Sequence, residues 1–498
     1  MKRWFWMLPV LALLGMLCAP ALGEEMRTTV LVYISGADLE SEDASATADI
    51  QEMVRAGVQA SGPVTVLVEA GGAKRWHTDG LTDRNVNLLQ VTQDGIAQLA
   101  SPGKCSMGDA DTLAGFLAYA RENAPADRTL LVLWGHGDGP TSGVCFDELY
   151  EDDALMLDEI AAALREADAA GQNTEAVIFD ACLMNCADLL TNLGQYTDLI
   201  VASQESTLGT GARYDLWLAA LAADPDIDTR ALCEIIAETY IGTASHGLFS
   251  QVASMSVLDA AQSDALTAAV EALYARLDAL SDDDLAALPG ALENLASFGE
   301  FDGSPPSGLM DAAQLCDVLE AYAPQECAAL RAAVADAVCY KADSGKLAGQ
   351  TCGLSLFLPC TEQDWPDAFY DWLGPLTEER SYAHLIVRLA AQLDTRQSAS
   401  LIDLLRGAFI VGTGVPQVCL ENDALRALFE DKFGPGAGYR YAYLYPGLAR
   451  AFQAAGRVIR TETDTGRVFL IDSRWLDPEH AALLPRHWGR GTLGRPPF

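Results

Sequence analysis

A histidine and a cysteine each close an apolar run. His136, in Trp134-Gly135-His136-Gly137-Asp138, follows Leu130-Leu131-Val132-Leu133, and Cys182, in Phe179-Asp180-Ala181-Cys182-Leu183-Met184, follows Ala176-Val177-Ile178-Phe179. A thiol and an imidazole are what acyl transfer through cysteine needs: sulfur attacks a carbonyl while the ring moves protons. The developing oxyanion also needs donors, and the backbone N–H groups of Gly137 and Cys182 are the candidates. A residue without a side chain at 137 lets a substrate carbonyl come close. The pattern predicts that Cys182 opens a helix whose dipole favours the thiolate. Asp180, two residues earlier, points to the same side of an extended segment as Cys182; its alternative role is a cap on that helix. Alone, each residue reads as an inert strand-end histidine or a buried cysteine, and the matching contexts of the pair favour a peptidase.

The elements around this pair must bring two strand ends together. Both apolar runs read as buried parallel strands, as do residues 28–34, 64–69 and 199–203. Helical spacing appears over 48–57, 111–123 (capped by Asp109 or Asp111) and 155–167. Alternating strands and helices predict an α/β fold, a mainly parallel sheet with helices on both faces and further helices added toward the C-terminus. In such sheets ligands bind beyond the carboxyl ends of the strands, where His136 and Cys182 fall. From 259 onward the chain is rich in Ala and Leu, with a helix interrupted at Pro289-Gly290, helices at 312–322 and 326–340, and a strand at 353–359. Beyond 395 come helices around Leu401 and Leu425 and a hairpin in which Asp464-Thr465-Gly466 turns 457–463 back along 467–471. The expected division is a signal peptide (1–23), an α/β core (24–258), a helix-rich completion (259–394), an α+β extension of unknown role (395–484) and a disordered Arg/Gly/Pro tail (485–498).

At 498 residues the chain exceeds one ordinary core. Its net charge of -38 would repel nucleic acid and anionic membranes and attract cationic peptides or calcium, unless it only keeps the protein soluble. Lys2 and Arg3 precede an apolar stretch at 4–17, and Ala21-Leu22-Gly23 supplies the small residues for cleavage before Glu24. Leu17 is bulky where a lipoprotein signal at Cys18 would need a small residue. No later apolar run is long enough for a transmembrane segment, so export is expected. Of 12 cysteines, losing Cys18 leaves an odd number and thus an unpaired thiol, for which Cys182 is the candidate. Cys182 and Cys186 could be imagined around zinc with His136, but no second close-spaced pair accompanies them. Cys186 reads instead as a small buried residue one turn along the following helix.

These residues resemble the clostripain-like cysteine peptidases, relatives of the caspases, legumains and gingipains. The resemblance runs from about Thr28 to about Trp372 through Ser35-Gly36-Ala37-Asp38-Leu39-Glu40, Gly71-Gly72-Ala73-Lys74-Arg75-Trp76, Met107-Gly108-Asp109, the His136 and Cys182 motifs and Gly353-Leu354-Ser355-Leu356. It implies a caspase-like fold, a His136/Cys182 dyad and cleavage of peptides and proteins after Arg or Lys. It places Asp180 in the pocket for the residue before the cut bond, where a carboxylate selects a basic side chain. It also implies a second acid, for which Glu205 and Asp215, around Gly209-Thr210-Gly211, are the choices. Some relatives mature by cutting themselves between the His and Cys strands. Here residues 138–159 contain no Lys or Arg, so an Arg-specific enzyme would act as one chain or be cut elsewhere, near Arg165 or Arg213. No cofactor is required; the acidic loop could take calcium but lacks EF-hand spacing. The competing readings are a catalytically silent surface or binding protein and an exported thiol redox or metal protein using Cys182 and Cys186.

Overall fold

Three strands buried on both faces form the centre of the main sheet: β1 (Thr28–Ser35), β5 (Arg128–Trp134) and β8 (Thr174–Asp180). Every residue of β1 and β5 is buried, which is why they read as unbroken apolar runs without alternation. The computed structural model describes residues 26–358 apart from 100, 245–250, 293, 294, 296 and 300–306. Beyond 358 it describes 385, 386, 388, 389, 407–411, 426, 430, 432, 439, 440 and 467–471. The signal segment and the tail therefore lie outside the described residues.

The chain divides into two compact units, residues 1–393 and 394–498. In the first, nine strands form one sheet in the order β12-β10-β9-β8-β5-β1-β2-β3-β4. The further strands are β2 (Val64–Gly71), β3 (Asn87–Thr92), β4 (Gly95–Gln98), β9 (Leu199–Ala202), β10 (Ala253–Asp259) and β12 (Val338–Ser344). From β9 across to β2 the neighbours are parallel, and the two edges are antiparallel. The fold is thus the mainly parallel, helix-flanked α/β sheet expected.

The two faces follow from strand alternation. Val30, Val32 and Ile34 of β1 pack with Ile50 and Met53 of α2 (Ser45–Arg55), Trp217 and Leu221 of α7 (Tyr214–Ala223) and Ile236 and Tyr240 of α8 (Thr229–Ala244). Each such side chain contributes about 1.5–3 kcal/mol on full burial. Leu31 and Tyr33 face the other way, where Tyr33 meets Phe116 of α3 (Ala110–Asn123) at 6.3 Å between ring centroids. That second layer continues through α5 (Leu157–Ala169), α6 (Ala187–Leu193), α9 (Ser263–Asp278) and α12 (Pro324–Ala337).

Several sequence expectations shift at the edges. Asp109 is the cap of α3, its carboxylate accepting from Asp111 N. The helix over 282–292, α10 (Asp282–Leu292), carries through Pro289-Gly290; the break falls before it, at Leu280-Ser281. Helix α12 ends at Ala337, and residues 338–340 begin β12. Its apolar positions suit either state, and an edge place in the sheet decided it. A two-strand pair of β11 (Leu309–Asp311) with β13 (Ser355–Phe357) contains the strand expected at 353–359. In the second unit, β15 (Arg467–Ile471) pairs in parallel with β14 (Gly407–Val411); residues 457–463, the other half of the expected hairpin, lie outside the described residues, as does the predicted helix around Leu401.

Candidate active site

The order β8-β5-β1-β2 sets the site. The chain leaves β1 toward β2 on one side and later returns to lay β5 on the other, so the loops after β1 and β5 diverge and open a crevice. Register aligns their ends: Ile34 pairs with Trp134, and Trp134 with Asp180. His136 and Cys182 therefore each sit two residues past a matched pair, on adjacent strands.

Gly135 leaves β5 with φ 146°, a conformation open to glycine, and its N–H donates to Asp180 O at 3.3 Å. Gly137 then lies against the cysteine: a Cβ there would stand 2.4 Å from Cys182 O and 3.2 Å from Cys182 N. Cys145 N donates to His136 O at 2.9 Å and Asp138 N to Gly143 O at 3.0 Å, so Gly137 and Val144 pair without using the N–H of Gly137. Among the described residues neither that N–H nor the N–H of Cys182 has an acceptor. Both donors the sequence singled out are available.

Cys182 is half-buried and unpaired; its Sγ accepts from Thr207 N at 3.1 Å and lies 3.3 Å from Thr207 Oγ1. It does not open a helix. Helix α6 starts at Ala187 with Cys186 as its N-cap, and 181–186 form a tight loop in which Leu183 takes φ 63°. That left-handed conformation is strained for a leucine and is held by Leu183 N donating to Glu205 O at 3.3 Å and Asn185 N to Ser203 O at 2.9 Å. The Thr207 N–H, not a helix dipole, is the donor aimed at the sulfur. Cys186 is fully buried as expected, though one position before the helix, and burial pushes its thiol pKa far up.

Asp38, in α1 (Ala37–Ser41), the short helix after β1, is a residue to which the sequence reading gave no role. His136 Nε2 donates to its Oδ1 at 2.5 Å. Burial alone would raise the Asp38 carboxyl, but the hydrogen bond and charge of His136 outweigh it, and the net shift is downward. Its proximity depends on β1 and β5 being sheet neighbours, which the linear sequence does not show.

Asp180 is buried, its Oδ2 accepting from Ala212 N at 3.0 Å and from the Tyr214 hydroxyl at 2.9 Å. A second buried carboxylate, Asp49 of α2, accepts from Trp134 Nε1 at 2.7 Å. A Cβ on Gly211 would lie 2.8 Å from Asp49 Oδ2 and 3.0 Å from Asp180 Oδ2, so the two acids converge on one glycine. Burial raises both carboxyls, and the charge of Asp180 lifts Asp49 further. The carboxylate that meets Asp180 at Gly211 is that of Asp49, distant in sequence. Glu205 points elsewhere, its Oε1 accepting from Gly299 N and Ser206 N, and Asp215 is held in a two-pronged pair by Arg213.

Residues 138–159 are ordered as a short helical turn (Gly139–Ser142) and a hairpin of β6 (Val144–Asp147) with β7 (Asp153–Leu155). Two of its acids serve structure: Asp147 accepts from Met107 N and Leu149 N, and Asp153 from Ser106 Oγ. Among the described residues no three His, Cys, Asp or Glu side chains are grouped to hold a metal ion, and no helix is long and apolar enough to cross a membrane.

Comparison with known proteins adds to this geometry. Clostripain of Hathewaya histolytica is 31% identical over 130 residues, which is 22% of this chain and 24% of that protein, so the match spans about a quarter of that relative's length. An inactive zymogen C11 protease of Parabacteroides distasonis shares the fold with a TM-score of 0.53 and 20% identity, over 72% of this chain and 98% of its own. A secreted C11 cysteine protease of Bacteroides thetaiotaomicron, solved with an irreversible peptide inhibitor, gives 0.53 and 19% over 72% and 99%. A helicase C-terminal domain model matches residues 402–491, where acidic and basic residues nearly balance, so the strong negative charge belongs to the first unit. The clostripain family model matches residues 32–383, most of the length, and the chain belongs to that family.

Proposed function

We propose that this chain is an exported cysteine endopeptidase that cleaves after Arg or Lys with His136 and Cys182. The observation that carries the reading is the row Asp38, His136, Cys182 on three adjacent strand ends, beside the unused N–H groups of Gly137 and Cys182. Asp38 holds Nε2 of the ring and leaves Nδ1 for the sulfur side. His136 takes the thiol proton; the sulfur attacks the scissile carbonyl, and the two N–H groups receive the oxyanion. His136 then returns the proton to the leaving amine, giving a thioester. Water, deprotonated by the same ring, releases the acid and restores the thiol. This chemistry needs no cofactor.

The Asp49/Asp180 pair supports basic specificity. Two carboxylates converging in a buried place are poorly compensated until a cation enters, and an Arg or Lys side chain supplies that charge. Glu205 acts on the opposite side, bracing the Cys182 loop. Residues 138–159, ordered and without Lys or Arg, favour a chain active without a cut there. Export rests on the N-terminal signal pattern and accords with the secreted Bacteroides relative.

The test is a peptide ending in Arg with a thiol-reactive electrophile, read by intact mass. Stoichiometric labelling of the protein, absent in Cys182→Ala and slowed in Asp180→Asn, is expected. Absence of labelling under reducing conditions, with or without calcium, would favour a silent binding protein; equal loss in Cys186→Ala would favour the redox reading.

A further inference from the structure

The sheet face opposite the Asp49/Asp180 pair holds a buried acid that the peptidase chemistry does not use. Glu69 of β2 is 2% exposed, and its Oε1 has no hydrogen-bond partner. Along β2 the residues Val64, Val66, Val68 and Ala70 join the core with α2, so Glu69 projects to the α3 side. There it lines a cavity of about 430 Å³, with Leu88 of β3, Cys105, and Asp111, Phe116 and Tyr119 of α3.

A buried carboxyl oxygen without a hydrogen-bond partner is an unsatisfied polar group, so the position can take a donor. The volume falls in the range of small-molecule sites, roughly 300–1,000 Å³. The walls are apolar at Leu88 and Phe116, and a second acid, Asp111, is exposed on the lining. No set of three ligating side chains among the described residues would hold a metal ion. We propose that this cavity binds a small organic cation, its ammonium or guanidinium group paired with Glu69 and its apolar body lying against Leu88 and Phe116.

Burial raises the Glu69 carboxyl to about 8, so at pH 7 the empty site holds a proton that an incoming cation must displace. The titratable groups facing it are the Tyr33 hydroxyl from β1, which donates to Met107 O, the Cys105 thiol, Asp109 and Asp111 at the start of α3, and the Tyr119 hydroxyl further along it. Tyr33 and Cys105 are both pushed up, by burial first and by the charge of Glu69 as well, so neither carries charge at neutral pH. Glu69 is therefore the group that releases the proton.

The test uses 2-phenylethylamine and isothermal titration calorimetry on the full chain from Glu24, at pH 7, in two buffers of different ionisation enthalpy. One site is expected, with release approaching one proton. Glu69→Gln should weaken binding at least tenfold and abolish the release. Gly115→Leu, at a cavity-lining position with nothing within 4 Å of an added Cβ, should block binding without touching Glu69. Asp180→Asn should leave it unchanged. No binding, equal binding in Glu69→Gln, or loss confined to Asp180→Asn, which would seat the amine in the substrate pocket, would each overturn the proposal. Peptidase activity does not enter this readout, so failure here leaves the His136/Cys182 assignment untouched.

Discussion

Adding one methyl group at residue 137 should disable the enzyme while leaving every reactive group in place. In Gly137→Ala the new Cβ would start 2.4 Å from Cys182 O, 3.0 Å from Ala181 Cβ and 3.2 Å from Cys182 N. Ordinary contact begins near 3.4 Å, so the Cys182 backbone and the 135–137 segment must part by about 1 Å. Neither side yields easily, because Cys145 N and Asp138 N pin residues 136–138 to the β6 segment and Glu205 O pins the cysteine loop at Leu183. A displacement of that size between nucleophile, base and oxyanion donors lowers turnover by about 10²-fold. Overpacking of this kind costs about 1–3 kcal/mol of stability. The assay is kcat/KM on an Arg-terminated fluorogenic peptide, with Tm measured in parallel. A folded Gly137→Ala protein that keeps a third or more of wild-type kcat/KM would refute the reasoning, since the predicted contact between the two loops could not then exist.

Asp38→Asn should lower kcat about 10–100-fold with little change in KM, less than the roughly 10²–10⁴-fold that loss of a general acid–base group brings, because the ring keeps a partner but loses its counter-charge. Asp49 and Asp180 are both raised above the unfolded value near 4, so folding with the pair empty is favoured below that pH and loses stability as pH rises through the folded values. Asp49→Asn should therefore raise Tm at pH 7–8 while reducing kcat/KM for Arg substrates; a lower Tm across the range would mean the acids do not repel. Cys186→Ala removes a buried thiol far from ionisation and should cost about 1 kcal/mol in denaturant unfolding with cleavage rates unchanged, which separates the peptidase from a two-thiol redox protein.

The parts of the fold written in local pattern were legible, and those decided by neighbours in space were not. β1, β5 and β8 announce themselves because strands buried on both faces have no polar alternation to hide them. β3 and β4 gave no such run, since β4 is an edge strand with exposed residues. Of the candidate site, what shares a strand end was readable: motif and period placed His136, Gly137, Asp180 and Cys182 at strand ends, and the structure sets them on the matched ends of β5 and β8. Asp38 and Asp49 were not, because they come from two helices more than eighty residues earlier and reach the site only through the β1/β5 pairing and the packing of α2. The supposed helix at Cys182 failed for a local reason: Leu183 adopts a left-handed conformation that ends any helical start, and nothing in an apolar Ala-Cys-Leu-Met run signals it. Glu205 and Asp215 flank the Gly209-Thr210-Gly211 loop, and their carboxylates are engaged by Gly299 and Arg213.

The central claim is tested most directly by turnover of peptides that differ only in the residue before the cut, Arg, Lys, Asn, Asp or Leu, with calcium or chelator, by the chain from Glu24, Cys182→Ala and Asp180→Asn. The account predicts cleavage of the Arg and Lys peptides, none by Cys182→Ala, and a loss in Asp180→Asn of roughly 10²–10⁴-fold, the cost of about 3–5 kcal/mol for breaking a buried charge pair. Cleavage of the Leu or Asp peptide as fast as the Arg peptide, or cleavage that survives Cys182→Ala, would contradict it.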